Sequence, residues 1–475
     1  MEKNSIISDE RAKRRKFGLH FTSIEMFYRY IFPEIKDFLE NYLWVDLYAG
    51  VGNLILPILN EIPENQRESF FHKHIYLFDV QKDVVLNCIK NAGKYGIPKE
   101  IAEQNIKTRD NLENFPRILK QQKYPIFHIT NPPYLYLGYI RKHDETQKYL
   151  GYFEGINEGY QDLYQIAMIN DLHNDIENLI YVIPTNFLYG ASVSNKFRLD
   201  FLRHYKINKM TIFETSMFKF TGTNICIGFF KRKSISKDEP QSFEGLKFKN
   251  KNKFVKREYY LKPKYKYRAG SEFEEFIENN RIQKPLKVNY YLQKEEVLNN
   301  PGPFEIKVID ANRYENNQYK NLIINVSEKL KKKLVNNILY VRTVDTGSVD
   351  GRVGLGIVKE HFGVDGIYVS GNTYRTHPIQ IFLDPELTYK DQILLRNYFN
   401  TILEHFREKL DSEFLTTYKY SKADYTRKYL GLTQARGLIE TFPYELKEKN
   451  KETLISSIKN NEIERIFKLI LLTRS

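Results

Sequence analysis

The chain has 475 residues, 41% of them hydrophobic and 14% aromatic, which is typical of a globular protein and argues against disorder. Its apolar runs are too short to span a bilayer, it opens with no secretory leader, and neither Cys88 nor Cys226 lies in a CxxC pair. We therefore expect a protein of the reducing cytoplasm with no membrane partner, no disulfide framework and no metal site.

The net charge is +14, and the positive charge is concentrated in runs at 11–16 and 231–270. The second run holds 14 Lys and Arg against 4 Asp and Glu. Such runs attract polyphosphate, although a charge run alone more often marks a solvated surface. Tyr and Phe interleave with the second run, which favours nucleic acid as the partner.

The first half of the chain alternates apolar segments with segments of helical spacing. The predicted strands are 43–50, 75–80, 124–130, 178–185, 210–215 and 224–232, and the predicted helices are 22–42, 83–96 and 162–176. Such alternation implies a parallel or mostly parallel sheet with helices on both faces, an α/β domain. The last two strands lie close together in sequence and predict a terminal hairpin on that sheet.

The segment VDLYAGVGNL, residues 45–54, predicts a strand that ends at Asp46, a turn containing Gly50 and Gly52, and then an apolar helix. Glycines at such a turn let the backbone approach a ligand closely, and a helix N-terminus favours nearby negative charge. The full GxGxxG dinucleotide pattern is absent. Taken alone, the segment is equally typical of an ordinary tight turn.

Two further acidic residues follow predicted strands. Asp79 ends the second strand, where an acid commonly accepts hydrogen bonds from ribose hydroxyls. Asp110, in NIKTRDNLENF, follows an expected third strand that precedes the strand at 124–130, and it lies within reach of an adenine amino group. Each of them alone is equally well explained as a helix cap or turn residue.

The fourth strand runs into Asn131-Pro132-Pro133-Tyr134. Two consecutive prolines cannot donate to a sheet ladder and bias the preceding residue away from helix, so we expect the strand to end at Asn131 in a stiff loop. Ligands of open α/β sheets bind beyond the carboxyl ends of the strands, where the glycine turn, both acids and this loop all fall. The sequence therefore predicts one site that combines them.

After about residue 235 the sequence changes in character. Residues 234–245 read as a polar linker, 343–358 and 363–385 as hairpins rich in Gly and β-branched residues, and 389–410 as an amphipathic helix. We therefore predict two domains, 1–235 with an α/β fold and 236–475 with an α+β fold.

In their order along the chain these motifs resemble the gamma class of S-adenosylmethionine-dependent amino-methyltransferases from restriction–modification systems. KFGLHFTS is similar to motif X, VDLYAGVGNL to the motif I pattern D-P-A-C-G-S-G-N-F-L, and NPPY is motif IV as it stands in the family. GYQDLYQIAM, VIPTNFLYG and MFKFTGTNICIGFF resemble motifs V, VI and VIII. The resemblance covers roughly residues 16–232. It departs from the pattern at Leu47-Tyr48-Ala49, which replaces P-A-C, and at an insertion over 60–74.

The resemblance implies a Rossmann-like methyltransferase domain with S-adenosylmethionine as cofactor, followed by a DNA target-recognition domain. Carried over motif by motif, it assigns cofactor binding to Phe21, Thr22, Asp46, Gly50, Gly52, Asp79 and Asp110. It assigns catalysis to Asn131 and Pro132, which accept hydrogen bonds from an exocyclic amine, and to Tyr134 and Phe218, which stack on the base. For Tyr134 and Phe218 the alternative is simple core packing.

The implied function is sequence-specific methylation of the N6 amine of a flipped adenine in double-stranded DNA, by a monomer that protects its prokaryotic host from a partner endonuclease. Specificity would come from the second domain, because arginine and lysine side chains there can contact bases and phosphates. The DNA-contact candidates are Arg352, Arg375, Lys422, Arg427 and Arg436.

Several alternatives remain at this stage. Cytosine N4 is the closest competitor as target, although that chemistry more often accompanies Ser in place of Asn131. An RNA or protein N-methyltransferase shares the NPPY loop but usually lacks a basic domain of this size. A non-catalytic DNA-binding subunit is opposed by the intact motifs, and a fused nuclease by the absence of nuclease and helicase patterns in the sequence.

Overall fold

The computed structural model describes residues 22–215, 217, 224–249, 253–345, 351–373, 377–417 and 428–473. The chain divides into two compact units, Met1–Ala269 and Gly270–Ser475. The predicted boundary at 235/236 thus falls too early, because residues 241–261 add two strands to the sheet of the first unit.

The first unit is built on a nine-stranded sheet in the order β3-β2-β1-β4-β5-β7-β6-β8-β9. The strands are β1 Leu43–Asp46, β2 Ile75–Asp79, β3 Ile106–Thr108, β4 Ile126–Thr130, β5 Asn178–Pro184, β6 Tyr205–Phe213, β7 Ile225–Arg232, β8 Gln241–Phe248 and β9 Phe254–Leu261. The pairs among β1 to β5 are parallel, and β7 is antiparallel to both β5 and β6. The predicted parallel sheet is confirmed.

The predicted hairpin exists as β6 and β7, but it is not terminal. β8 pairs in parallel with β6, and β9 in antiparallel with β8. The polar sequence of β8 concealed it, since its inward side chains include Gln241 and the fully buried Lys247, which pairs with Glu214 at 3.1 Å.

The helices of the first unit are short. They are α1 Ile24–Met26, α2 Arg67–His74, α3 Lys82–Gly93, α4 Lys99–Asn105, α5 Leu137–Ile140, α6 Leu163–His173, α7 Asn186–Tyr189 and α8 Asn195–His204. The predicted helix over 22–42 is broken into α1, a π turn at Phe27–Ile31 and 3-10 turns at Phe32–Glu34 and Lys36–Asn41. The apolar helix predicted after the glycine turn is a 3-10 helix, Leu56–Glu61, with proline at its start, which lacks an N–H donor.

The second unit has two four-stranded sheets, ordered β10-β18-β14-β16 and β11-β17-β12-β13, and a small sheet ordered β15-β20-β19. Its strands are β10 Lys287–Tyr290, β11 Leu292–Gln293, β12 Phe304–Glu315, β13 Gln318–Val326, β14 Leu339–Arg342, β15 Val344–Asp345, β16 Gly354–Ile357, β17 Gly366–Val369, β18 Ile379–Asp384, β19 Thr416–Thr417 and β20 Lys428–Tyr429. The hairpin predicted over 363–385 is wrong, because β17 and β18 are each an interior strand of a different sheet.

The described part of the second unit also contains eight helices. They are α9 Glu272–Asn280, α10 Lys294–Leu298, α11 Glu328–Asn336, α12 Val358–Phe362, α13 Tyr389–Lys409, α14 Leu432–Ile439, α15 Glu448–Lys459 and α16 Ile463–Leu471. The predicted amphipathic helix is α13, which packs the buried side chains of Leu395, Phe399 and Ile402 into the same core as β14 and β18. The α+β character predicted for this half is confirmed.

The basic run at 231–270 is largely paired within the first unit. Its ion pairs join Lys231 to Glu177, Arg232 to Asp175, Lys233 to Glu239, Lys249 to Glu214 and Lys256 to Glu244. Much of this charge therefore has a partner inside the protein. Among the described residues, no helix has the length and apolar character needed to cross a membrane.

Candidate active site

The glycine turn after β1 has the backbone that the sequence predicted. Gly50 and Gly52 have φ of +56° and +86°, which favours glycine. A Cβ atom at Gly52 would lie 2.5 Å from Leu56 Cδ1 and 2.9 Å from Cys88 Sγ. Gly50 N donates to Asp79 Oδ2 at 3.0 Å, so the turn is held against the end of β2.

Asp46 and Asp79 are buried carboxylates at neighbouring strand ends. Asp46 Oδ1 accepts hydrogen bonds from Thr130 Oγ1 at 2.5 Å and from Tyr48 N at 2.9 Å. Burial raises the pKa of Asp46 to about 7 and also raises the pKa of Asp79 above its ordinary value. Asp79 Oδ1 accepts a hydrogen bond from Gln81 N, so each carboxylate oxygen of Asp79 is bonded to a backbone N–H group. Both acids therefore shape the turn.

Asp110 lies after β3 and organises the loop around itself. Its Oδ1 accepts from Leu112 N at 3.1 Å, and its Oδ2 accepts from the Tyr152 hydroxyl. Tyr152 belongs to a 3-10 segment, Asp144–Phe153, that also brings Tyr149 to the same cavity. The sequence did not predict this segment as part of the site, although its clustered tyrosines between the NPPY loop and α6 were a signal.

The NPPY loop follows β4, and hydrogen bonds fix its asparagine. Asn131 Nδ2 donates to Thr22 Oγ1 at 3.0 Å, and the Tyr134 hydroxyl donates to Asn131 Oδ1. The carbonyl of Thr22 in turn accepts from Asn53 Nδ2 at 2.8 Å. Residues from three separate motifs of the sequence thus meet at the amide of Asn131.

Tyr134 points its hydroxyl into the protein. The hydroxyl lies 2.5 Å from the carbonyl oxygen of Val182 on β5, and its ring packs at right angles to that of Tyr164, with centroids 6.4 Å apart. Burial raises the pKa of Tyr134 well above its usual value. On the other side of the loop, Leu135 N donates to Asp162 Oδ1 at 3.0 Å, and burial raises the pKa of Asp162 to about 7.

One cavity of about 300 Å³ brings the predicted residues together, within the size range of small-molecule pockets. Those that line it are Thr22, Asp46, Gly50, Asp79, Asp110, Asn131 and Pro132. Gly52 does not line the cavity; its lack of a side chain leaves room for Leu56 and Cys88. Tyr134 does not line it either and packs against the apolar core of the first unit. Phe21 and Phe218 lie outside the described residues.

The cavity also holds polar atoms that await a ligand or water. The hydroxyl of Tyr48 and Oδ1 of Asn111 are buried without a hydrogen-bond partner in the described part of the chain, and both residues line the cavity. A buried polar group without a partner costs about 1–3 kcal/mol. These two atoms, with the glycine backbone and the two aspartates, fit a polar ligand with a ribose and a heterocycle.

A buried histidine network lies directly behind the cavity and was missed in the sequence. His128 Nε2 accepts from Leu47 N at 3.1 Å, and its Nδ1 lies 2.6 Å from Asp171 Oδ2, which also accepts from the Tyr181 hydroxyl. Since Nε2 accepts, Nδ1 carries the proton. The network ties β4, which precedes Asn131, to the first residue of the glycine turn. Its signal in the sequence was a histidine, His128, within the apolar segment of β4.

The structure describes two of the DNA-contact candidates of the second unit, Arg352 and Arg436, and each contacts a side chain of the protein. The Arg352 guanidinium is ion-paired with Glu404. That of Arg436 lies over the Tyr290 ring, 5.3 Å from its centroid. Arg375, Lys422 and Arg427 lie outside the described residues.

Comparison with known proteins bears on the first unit. Residues 31–218 match the family described as Eco57I restriction-modification methylase. No protein with a curated description matches this chain in sequence.

One solved structure supports the fold of this chain. The type IIL restriction-modification enzyme MmeI, solved with DNA, aligns with a TM-score of 0.52 at 12% identity, covering 97% of this chain and 76% of that one. The EcoKI M protein is also similar, with a TM-score of 0.34 at 12% identity over 50% of each chain, as is the type IIG endonuclease BpuSI, with 0.40 at 11% identity over 96% and 65%. This chain spans 57%, 32% and 50% of three of the similar structures, so activity does not follow from these likenesses.

Proposed function

We propose that this chain is a site-specific DNA methyltransferase that transfers a methyl group from S-adenosylmethionine to the N6 amine of adenine. The observation that carries the proposal is that Asn131 and Pro132 line the same 300 Å³ cavity as Gly50, Asp79 and Asp110. A methyl-transfer site requires this juxtaposition, since donor and acceptor must lie in near contact.

S-adenosylmethionine, when bound, supplies an electrophilic methyl group on sulfur. The residues that would hold it are Gly50, whose turn permits close approach, and Asp79 and Asp110, whose carboxylates accept from hydroxyl and amino groups. Thr22 completes the cavity wall at the side of Asn131. The polar atoms of Tyr48 and Asn111 described above add two further hydrogen-bonding positions.

Asn131 and Pro132 would act on the target amine. An exocyclic amine is a poor nucleophile because its lone pair is delocalised into the ring. The Asn131 side-chain oxygen and the Pro132 carbonyl each accept one N–H, which favours a tetrahedral nitrogen with its lone pair directed at the methyl donor. The Tyr134 hydroxyl donates to Asn131 Oδ1, which fixes the orientation of the amide. Tyr134 is thus a positioning residue as well as a stacking surface.

A base within a duplex cannot reach this cavity, so it would be flipped out and stacked on aromatic rings. We expect Tyr134 to present its ring face and Phe218 the opposing one. We also propose that the second unit recognises the DNA sequence. The enzyme would act as a monomer and would function beside a partner endonuclease.

The test uses DNA from cells that express the protein, analysed by modification-sensitive long-read sequencing. We expect N6-methyladenine in one sequence context, reduced about 10²- to 10³-fold in Asn131→Ala, because one preorganised acceptor is lost. The matched control is Gln104→Ala, which removes an exposed amide on α4 and should methylate as wild type does. N4-methylcytosine would correct the base, and unmodified DNA with intact cofactor binding would overturn the proposal.

A second variant, Tyr134→Phe, separates positioning from stacking. It keeps the ring and removes the hydroxyl that holds Asn131. We expect kcat to fall about 3- to 10-fold with KM for DNA unchanged, in line with the loss of one hydrogen bond. If Tyr134→Phe has the kcat of the wild type, the hydroxyl does not position Asn131 for catalysis, and the role of Tyr134 is stacking alone.

A further inference from the structure

The second unit contains a polar cavity that is not lined by Arg352 or Arg436, the two DNA-contact candidates that the structure describes. Its volume is about 740 Å³, and the described residues that line it include Asn317, Gln318, Asn321, Arg342 and His361. Arg342 Nη2 donates to His361 Nε2 at 3.0 Å, which fixes both side chains in the wall. Among the lining residues that the structure describes, none is a carboxylate. The described wall therefore presents amides and one guanidinium group to a ligand.

One wall of this cavity is the end of the hairpin formed by β12 and β13. β17 pairs with β12 only at Val308, Ile309 and Asp310, so the residues beyond them form a two-stranded ribbon. Asn316 and Asn317 close it with φ of +51° and +62°, the turn that matches the twist of a hairpin. The ribbon is anchored at its base, because Asn312 Nδ2 donates to the carbonyl of Asn372 at 2.9 Å.

The end of the ribbon exposes unused hydrogen-bonding groups. The side chains of Asn317, Gln318 and Asn321 are exposed, and within the described chain they have no hydrogen-bond partner. The rings of Tyr314 and Tyr319 contact each other nearby, with centroids 4.7 Å apart and planes tilted by 58°. The Tyr319 hydroxyl donates to the carbonyl of His377 at 2.7 Å, which holds this part of β13 in place.

We propose that the end of the β12–β13 hairpin, with Asn317, Gln318 and Asn321, enters the major groove and reads base edges of double-stranded DNA. The inference rests on the proposed function and names the surface that selects its DNA sequence. The major groove admits a two-stranded ribbon, and Asn and Gln pair with the N6 and N7 atoms of adenine. Lys320, opposite Asp310 on the same hairpin, supplies positive charge for a flanking phosphate, whereas Arg313 is ion-paired with Asp310 at 3.4 Å.

The experiment compares two double variants of the full chain. Asn317→Gly with Gln318→Ala removes two amides of the ribbon, and glycine keeps the positive φ of the turn. Its matched control is Asn461→Gly with Gln283→Ala, which removes an exposed amide at φ +56° and a second exposed amide elsewhere in the second unit. Motif-specific methylation is read by sequencing. S-adenosylmethionine affinity and the unfolding midpoint are measured on the purified proteins.

We expect methylation at the wild-type motif to fall about 10- to 100-fold in the ribbon variant, or the motif to lose definition at one or more positions. The control should match wild type in both. Binding to a motif duplex and to a scrambled duplex should converge, with an unchanged salt dependence because no phosphate contact is removed. Cofactor affinity should not change.

Wild-type methylation of the same motif by the ribbon variant would overturn the inference while the proposed function stands. A wild-type protein that methylates no DNA overturns both. If the double variant unfolds at a lower temperature, Asn321→Asp replaces it: the exposed isosteric carboxylate should leave folding intact and reduce motif methylation by repelling DNA. Specific binding to RNA in place of DNA would also overturn the inference.

Discussion

The two units of this protein differ in how well their functional residues follow from the sequence. In the first unit, seven predicted residues from five segments of the chain line one cavity. In the second unit, Arg352 is paired with Glu404 and Arg436 lies over Tyr290, while amides of the β12–β13 hairpin gather around a cavity instead. Topology explains the difference.

In a parallel sheet the carboxyl ends of all strands lie at one edge, so residues that follow different strands meet there whatever their separation in sequence. Asp46, Asp79 and Asn131 follow β1, β2 and β4, which are adjacent in the sheet. The strands of the second unit are mostly antiparallel and are divided among three sheets. Position at a strand end therefore does not determine which neighbours a residue has.

The largest effect is expected from substitutions in the glycine turn of the first unit, where the predicted site residues meet. Gly52→Ala should lower the free energy of unfolding by about 3 kcal/mol, because a strained φ is combined with a collision against buried Leu56 and Cys88. Gly50→Ala has the same positive φ but meets no atom within 4 Å, and should cost only about 1 kcal/mol. Chemical denaturation measures both.

S-adenosylmethionine affinity should fall further in Gly52→Ala than in Gly50→Ala, as isothermal calorimetry would record. Equal losses of stability in the two variants would mean that the turn is not packed against Leu56, and would remove the reason for a glycine at that position.

A smaller effect is expected from the buried carboxylate of Asp46. Its pKa of about 7 lies above the value of about 3.9 in an unfolded chain. Between pH 4 and 7, roughly, the folded state holds a proton that the unfolded state has lost, so stability falls as pH rises through this window and levels off above it. From pH 5 to 7 the loss is about 2 kcal/mol.

Asp46→Asn, which is neutral at every pH, should flatten this dependence in denaturant titrations at pH 5, 6 and 7. Asp162, whose pKa burial also raises to about 7, remains in the variant and preserves a slope of the same sign. Identical pH dependence in variant and wild type would mean that Asp46 is ionised in the folded protein.

Within the first unit, the sequence predicted which residues lie at the site better than it predicted how their side chains are oriented. It placed Asn131 and Tyr134 in one loop, yet the inward hydroxyl of Tyr134 depends on the carbonyl of Val182, which lies on another strand. The same limit applies to His128, whose partners Leu47 and Asp171 come from distant segments. Long-range side-chain pairing of this kind leaves no periodic signal in a single chain.

The prediction of strands from the sequence was wrong where a buried polar side chain is paired with a polar group from another segment. The start of β8 was predicted to lie in the polar linker 234–245 and its end in the basic run, but Gln241 Oε1 accepts from Ile207 N and Lys247 pairs with Glu214. Burial of a charge is possible only beside its partner, and the partner lies on a segment that local patterning does not connect to β8.

The smallest expected effect concerns Arg352 in the second unit. Since its guanidinium is already paired with Glu404 at a half-exposed site, Arg352→Gln should change stability by less than about 1 kcal/mol and DNA affinity by less than about 3-fold. Glu404→Gln serves as the paired control and should behave alike. Binding to a motif duplex at several salt concentrations decides the matter. A loss of about 10-fold would show that Arg352 contacts DNA, as first predicted, and a salt slope reduced by about one would place that contact on a phosphate. Such a loss would move the DNA contact surface from the hairpin toward α13, which carries Glu404.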